Sequence, residues 1–466
     1  MRFQGIWAVA RNTIAQAIRV RVGFALMALY LALVIGLPFF VQGDGTLRGQ
    51  LHVLINFSLI VAGTLLAILT LALSTTTLWS EIRDKQIYLL EARPIRRWQV
   101  LLGKFLGLLA INAALLLFMG IVTWGSVQWI SRQKRWGERD VLLANEQVLT
   151  ARRTLRPEPP PESQVQAFVD QSIDNRVRQL ERQERMPEGG REAVREQIRE
   201  EFFKLINAVP VRLGRHWEFA GLHIPRRKET RFTLRFKFFS SDRKSEEPVR
   251  VHWEYGVPRQ TASYRHDGAF MPDVEHEVQV PADAIAQDGT FEVRFLNFDP
   301  RGATLMFPET DGIVALIPVG GFGVNLARGL GVIFVEVSFL AALGLFCSTF
   351  LSFPVSPIVA LSLLLQIYLA GSVNAEFERG FTFDQTKQSK TALAAETFTR
   401  VVAKAVRVLL PPFDRYSPSA LVSSGEEVSW GLLLEAVGLI ALLYGGVLTF
   451  LGTVIFERRE IALATR

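Results

Sequence analysis

Six long apolar runs, separated by charged connectors, dominate the chain: Val22 to Val41, Leu54 to Trp79, Phe105 to Ile130, Leu330 to Phe350, Pro357 to Val373 and Trp430 to Phe456. A bilayer core of about 30 Å takes around 20 such residues as a helix, because a chain in lipid must satisfy its own backbone hydrogen bonds. Six transmembrane helices are therefore expected, the fifth the shortest. The first run is long for the core of a signal peptide and ends at Val41-Gln42-Gly43 without a small-residue cleavage pattern, so it is read as retained.

Between the third and fourth runs the pattern changes twice. Ile173, Val177 and Leu180, then Val194, Ile198, Phe202 and Leu205, recur every three to four residues among Arg, Glu and Gln. That spacing predicts charged helices with narrow apolar stripes, interrupted at Pro157 to Glu162 by prolines that lack an amide donor. Further on, Phe232, Leu234, Phe236 and Phe238, and then Val249, Val251, Trp253 and Tyr255, alternate with polar residues. Period two predicts strands with one wet face. Val278 and Val280, the turn signal Asp288-Gly289, and Phe291, Val293 and Phe295 read as a further hairpin. The fold class is thus a polytopic α-helical membrane protein carrying a large extracytoplasmic α+β insertion, a helical stalk plus an antiparallel β-sandwich. The insertion runs to roughly 200 residues, enough for its own core.

The resulting organisation is an N-terminal segment over 1–21, three spans and a loop over 22–130, a helical segment over 131–215, a sandwich over 216–328, two spans over 329–374, an outer amphipathic helix and loop over 375–429, and the last span with its tail over 430–466. Arg2, Arg11, Arg19 and Arg21 precede the first span; Arg83, Lys85, Arg93, Arg96, Arg97 and Lys104 lie between the second and third; Arg458, Arg459 and Arg466 follow the sixth. Basic flanks stay in the cytoplasm, so both termini are expected there and the insertion outside. Trp124, Trp129 and Trp430 suit the headgroup boundary, although plain packing accounts for any one of them equally well.

Composition narrows the function. The chain is 49% hydrophobic and 21% charged with a formal net charge of +7, too small and too dispersed an excess for a nucleic-acid binder. Anionic lipid headgroups explain it more simply. The single cysteine, Cys347, excludes an intrachain disulfide and a paired-cysteine metal site. Five histidines, His216, His223, His252, His266 and His276, fall in the insertion without a recognisable metal-ligand spacing, and no metal is assigned.

The most informative stretch joins the second and third runs. It reads as a short mixed-charge helix from Glu81 to about Ala92, ended near Pro94 and followed by a basic turn. An ordinary juxtamembrane loop held by anionic lipid would have the same composition. Glu81, Leu89-Leu90, Pro94-Ile95-Arg96-Arg97 and Gly103-Lys104 stand here in the order that resembles permease subunits of type-2 ATP-binding-cassette (ABC) exporters, as does Phe456-x-Arg458-x-Glu460 near the end. Lys85-Gln86 departs from the Gly-Thr common in that family, and the insertion is unusually large. The resemblance implies a coupling helix seated in an ATPase subunit, with Glu81, Arg83, Asp84, Leu89 and Leu90, then Arg93, Pro94, Arg97 and Lys104, at the contact. It also implies a smaller contact at Ser348 to Ser356, two ATPase copies, a second permease subunit and a bacterial cytoplasmic membrane. ATP and Mg would sit on the ATPase: this chain has no GxxxxGK[ST] string, because Gly103-Lys104 is followed by Phe105. No cofactor and no catalysis are expected of the chain itself.

An ionisable residue within a span costs several kcal/mol unless it is paired or wet, about 3 kcal/mol on insertion scales, so each is a functional candidate. Glu336 lies roughly 9 Å inside the outer end of the expected fourth span at 1.5 Å per residue. It would line a substrate path, hold a proton, or pair with Arg328. Glu435 is expected at headgroup water, and Asn112 and Gln366 at interhelical hydrogen bonds. Two other readings stay open: a secondary transporter or channel coupled through Glu336, and a membrane-anchored binding protein whose function lies in the sandwich.

Overall fold

The computed structural model describes residues 2–40, 45–83, 96–183, 189–224, 230–241, 247–308, 312–378 and 411–458. In chain order the helices are α1 (Arg2–Val20), α2 (Val22–Phe40), α3 (Leu47–Arg83), α4 (Arg97–Ser131), α5 (Glu138–Gln147), α6 (Glu162–Arg182), α7 (Gly190–Asn207), α8 (Phe322–Phe350), α9 (Val355–Glu378), α10 (Pro418–Ser423) and α11 (Trp430–Arg458). The strands are β1 (Thr150–Leu155), β2 (Ala208–Val209), β3 (Gly214–Phe219), β4 (Arg231–Phe236), β5 (Phe239–Ser240), β6 (Val249–Tyr255), β7 (Tyr264–Phe270), β8 (His276–Pro281), β9 (Phe291–Asn297), β10 (Leu305–Met306) and β11 (Ile313–Gly321). They form two compact units: Met1–Ala151 with Gly320–Arg466, and Arg152–Val319.

The first unit is helical. Four of its helices are long and apolar enough to cross a membrane: Leu47–Ser80 within α3, then α4, α8 and α11. The other two expected crossings differ. α1 and α2 form a pair bent by 60°, with Arg21 between them in the left-handed region at φ 57°. The apolar stretch of α9, Val355–Tyr368, is shorter than the other spans. The remaining helices overrun the apolar runs. α3 has 37 residues and α4 has 35, so at 1.5 Å per residue each is roughly 50 Å long against a bilayer core of about 30 Å. Polar residues at their ends continue the helix rather than stop it: Gln99 Oε1 accepts the Arg96 amide at 2.9 Å and caps α4.

Two glycines let α1 and α4 approach closely. A Cβ on Gly103 would sit 2.8 Å from the Ile6 carbonyl, and one on Gly107 would sit 2.9 Å from the Ala10 carbonyl. They are four residues apart, on one face of α4, and Ile6, Val9, Ala10 and Thr13 are buried against them. α1 therefore spends its apolar face on α4. Interhelical hydrogen bonds fix the rest: the Tyr30 hydroxyl meets Thr123 Oγ1 at 2.7 Å, and Thr70 Oγ1 donates to Asn112 Oδ1 at 3.0 Å.

The second unit holds two four-stranded sheets, in the orders β1-β11-β4-β8 and β3-β9-β6-β7, and a small β2-β10-β5 sheet. Alternation sends Phe232, Leu234 and Phe236 from one sheet, and Trp253, Tyr255, Phe291, Val293 and Phe295 from the other, into one buried core. Trp253 and Tyr255 thus lie on the core face, as the alternation predicts, and the Trp253 ring packs at a tilt against Phe295, centroids 4.7 Å apart. The expected hairpin through Asp288-Gly289 is corrected. β8 pairs with β4, whereas β9 pairs with β3 and β6, so the turn carries the chain from one sheet to the other. A short 3-10 turn, Ala282–Ala284, intervenes, and Gly289 supplies the positive φ of 87° that ends the crossover. The segment 131–215 is not wholly helical, since β1 joins a sheet edge beside β11. The tract 216–328 gives up its last residues to α8, which begins at Phe322.

α6 and α7 pack Val169 and Ile173 against Val194 and Ile198. Arg176–Glu201, Arg191–Asp174, Arg195–Asp170 and Arg199–Glu162 ion pairs flank that narrow seam, which accounts for the charge density of this stretch. Leu205, placed on the stripe by its spacing, is exposed.

Candidate functional sites in the helical unit

Residues 84–95, with Asp84, Leu89, Leu90, Arg93 and Pro94, lie outside the described residues, as does the Glu81 side chain. The helix ends that flank them are defined. The Arg83 guanidinium sits 4.4 Å from the Trp79 ring centroid, and Trp79 in turn packs at 4.8 Å on Phe353, which lies within the Ser348 to Ser356 stretch. Arg97 Nη1 donates to the Phe456 carbonyl at 3.1 Å, tying the start of α4 to the end of α11. Arg83 thus stands where α3 meets the link between α8 and α9, and Arg97 where α4 meets α11. Lys104 differs from the expectation. It is 0% exposed and its ammonium donates to the Thr77 carbonyl at 3.2 Å, so it joins α4 to α3 and offers no surface to another chain. A buried ammonium is tolerated where carbonyls accept its hydrogen bonds, and the end of α3 presents such a group.

The second site is a cavity of about 360 Å³ in the same unit, enclosed by α3, α8, α9 and the chain before α11. Leu59, Gly63, Ile333, Ile367 and Phe413 form its apolar walls; Thr64, Glu336, Tyr368, Asp414, Ser417 and Ser419 supply the polar atoms. α8 begins eight residues before the expected span, so Glu336 lies midway between Phe322 and Phe350 rather than near an end. Its expected pairing with Arg328 is corrected. Arg328 Nη1 binds Glu427 Oε1 at 2.9 Å and the Val428 carbonyl at 3.2 Å, and its guanidinium lies over Trp430. The chain ahead of α11 is clamped there a second time by Asn325, which donates to the Glu426 carbonyl at 2.7 Å and accepts the Val428 amide at 2.8 Å. Among the described residues Glu336 makes no hydrogen bond and no ion pair.

The remaining expected polar sites are placed as follows. Glu435 pairs with Arg415 at 2.9 Å, both partly exposed. Asn112 is buried and takes its interhelical bond as the acceptor, while Gln366 is exposed. In the inserted unit His216 meets Glu292 at 3.0 Å and His252 contacts Asp267, both on the solvent face of their sheet. Among the described residues no group of three or more His, Cys, Asp or Glu side chains is placed to hold a metal ion.

Sequence reading missed three features. The Gly103/Gly107 pair was legible as small residues four apart. The buried pair of Arg152 with Glu277, 3.1 Å apart, was not, because the partners lie on strands that meet only through the sheet. Nor was the company of Glu336, since Asp414 and Phe413 come from a connector far along the chain. No family model, no curated protein and no solved structure matches this chain.

Proposed function

We propose that this chain is the membrane subunit of an ATP-driven transporter of the type-2 ABC exporter kind, paired with a second permease subunit and two separate ATPase subunits. In this reading the chain crosses a bacterial cytoplasmic membrane six times, with the bent α1–α2 pair and α9 completing the set. Both termini are cytoplasmic, the inserted unit is outside, and the chain catalyses nothing itself. The observation that carries the reading is the pair of long helices flanking residues 84–95. α3 and α4 exceed a bilayer's thickness, and their ends at that loop are fastened to one another through Lys104 and to α11 through Arg97. A push on the loop would be delivered to three helices together, because close-packed helices transmit displacement rather than absorb it. That is what an ATPase needs to turn nucleotide-driven closure into work across the membrane.

The reading is tested by purifying the chain with its native partners. An ATPase subunit should copurify, and replacing Glu81 and Arg93 by alanine should lower its recovery by about tenfold while membrane insertion is unchanged. That loss corresponds to about 1.4 kcal/mol. Unchanged recovery would remove the role given to the loop. The isolated carboxyl of Glu336 favours one second reading, a secondary transporter coupled to protons. Transport that persists without ATP and stops when the proton gradient is collapsed would select it.

A further inference from the structure

We infer that the Glu336 cavity is a binding site for an organic monocation, an ammonium group joined to an apolar body. The inference concerns the chain alone and holds whether or not an ATPase drives it. The cavity has the size of ordinary small-molecule sites, which run from about 300 to 1,000 Å³. Its walls are mostly apolar and its charged groups are of one sign, Glu336 within and Asp414 at the exposed rim. The arginines nearest in the chain are already committed, Arg328 to Glu427 and Arg415 to Glu435. A carboxyl in such a place is costly unless a cation meets it or a proton neutralises it.

The chemistry of the lining selects the kind of cation. Hard metal ions take six or more oxygen ligands, and this site offers two carboxylates and a few hydroxyls among hydrocarbon walls. An ammonium needs fewer oxygens and gains from aromatic faces. Phe413 and Tyr368 provide these, their rings 6.3 Å apart and near-perpendicular. Leu59, Ile333 and Ile367 are left to cover an alkyl or aryl body. A neutral apolar ligand would leave Glu336 uncompensated, and an anion would be repelled by both acids. Gly63 keeps the space open: a Cβ there would meet only Ile333 Cγ2, at 4.0 Å, so a larger side chain would enter the cavity without striking backbone.

The test uses the full chain in phosphatidylcholine nanodiscs with radiolabelled octylamine as the probe, subtracting uptake by empty discs. Saturable binding at one site per chain is expected. Glu336→Gln, which keeps the shape and removes the charge, should weaken it at least tenfold. Gly63→Leu, which leaves the carboxyl in place and fills the space, should weaken it by a similar factor. Octanol, matched in chain length and uncharged, should fail to compete. Both variants are checked for monodispersity and an unchanged thermal midpoint, so that loss of binding is separated from loss of fold. Phosphatidylethanolamine added to the discs distinguishes the source: competition assigns the site to a lipid ammonium, and its absence assigns it to a free lipophilic amine. No saturable uptake above empty discs, equal competition by octanol, or unchanged binding in well-folded Glu336→Gln would overturn the inference.

Discussion

Two glutamates at partly covered positions, one in each unit, show how differently the same group can be housed. Glu277 in the sandwich is met by Arg152 at 3.1 and 3.3 Å and by Arg235 at 3.5 Å, with side-chain exposures of 3% for Arg152 and 6% for Glu277. Glu336 in the helical unit faces a cavity with no such partner among the described residues. A buried ion pair roughly repays its own desolvation, but removing one member leaves an uncompensated charge and is strongly destabilising. The paired acid is therefore part of the fold. The lone one has no such structural role among the described residues, and that difference is why the binding proposal rests on Glu336 and not on Glu277.

The largest effect should come from breaking the satisfied pair. Arg152→Ala is expected to lower the stability of the sandwich by about 3 kcal/mol, the low end for a broken buried pair because Arg235 remains. Thermal unfolding followed through Trp217 and Trp253 fluorescence measures it. Should the loss stay below about 1 kcal/mol, the Glu277 arrangement would not be the structural device assumed here.

Crowding the helix contact comes next. Gly107→Leu drives a side chain into the Ala10 carbonyl and Thr13, and overpacking of this kind costs about 1–3 kcal/mol. Tryptic cleavage at Arg11 and Arg19 should accelerate several-fold as α1 lifts from α4, whereas Gly125→Leu, where a Cβ meets nothing, should leave it unchanged.

The sandwich core offers a pH test of smaller size. Burial raises the Tyr255 phenol above its usual value of 10.0, and its hydroxyl has no hydrogen-bond partner among the described residues. The folded state thus holds the proton more tightly than the unfolded one. Its contribution is fully present below pH 10 and declines above it, by up to about 1.4 kcal/mol per pH unit. Tyr255→Phe should flatten that alkaline decline, and near neutral pH it should match or slightly exceed the native stability, since it removes an unsatisfied buried hydroxyl. An alkaline slope identical in the two proteins would assign the decline to other groups.

The smallest expected change is the most telling for the comparison. Glu336→Gln in ligand-free nanodiscs should leave stability within about 1 kcal/mol of native or raise it, because it relieves a lone charge instead of orphaning a partner. A loss as large as that of Arg152→Ala would show that Glu336 has a structural partner after all and erase the contrast between the units.

Much of the fold is legible residue by residue, and the exceptions have a common cause. The apolar runs that became α3, α4, α8 and α11 stand out because backbone satisfaction in lipid demands long apolar helices, and the alternation at Phe232 to Phe236 and Val249 to Tyr255 because pleating puts every second side chain in the core. The helices run past their apolar stretches, since hydropathy marks where lipid begins and not where hydrogen bonding stops. The Asp288-Gly289 turn was assigned to a hairpin because a turn signal specifies local backbone but not which strands flank it in space. Lys104 reads as a surface residue because a basic residue at a span boundary suits water, yet its bond to the Thr77 carbonyl makes burial tolerable.

What the sequence determined alone is therefore whatever depends on a single element meeting its surroundings: which segments suit lipid, which face of a strand is dry, and that Glu336 is an acid among apolar neighbours. Only the tertiary structure decided which charges find partners, with Arg328 going to Glu427, Arg152 to Glu277, and Glu336 left facing a cavity. Pairing depends on distances of a few ångströms between groups tens or hundreds of residues apart. Such distances are fixed by how whole elements pack, and no local pattern encodes them.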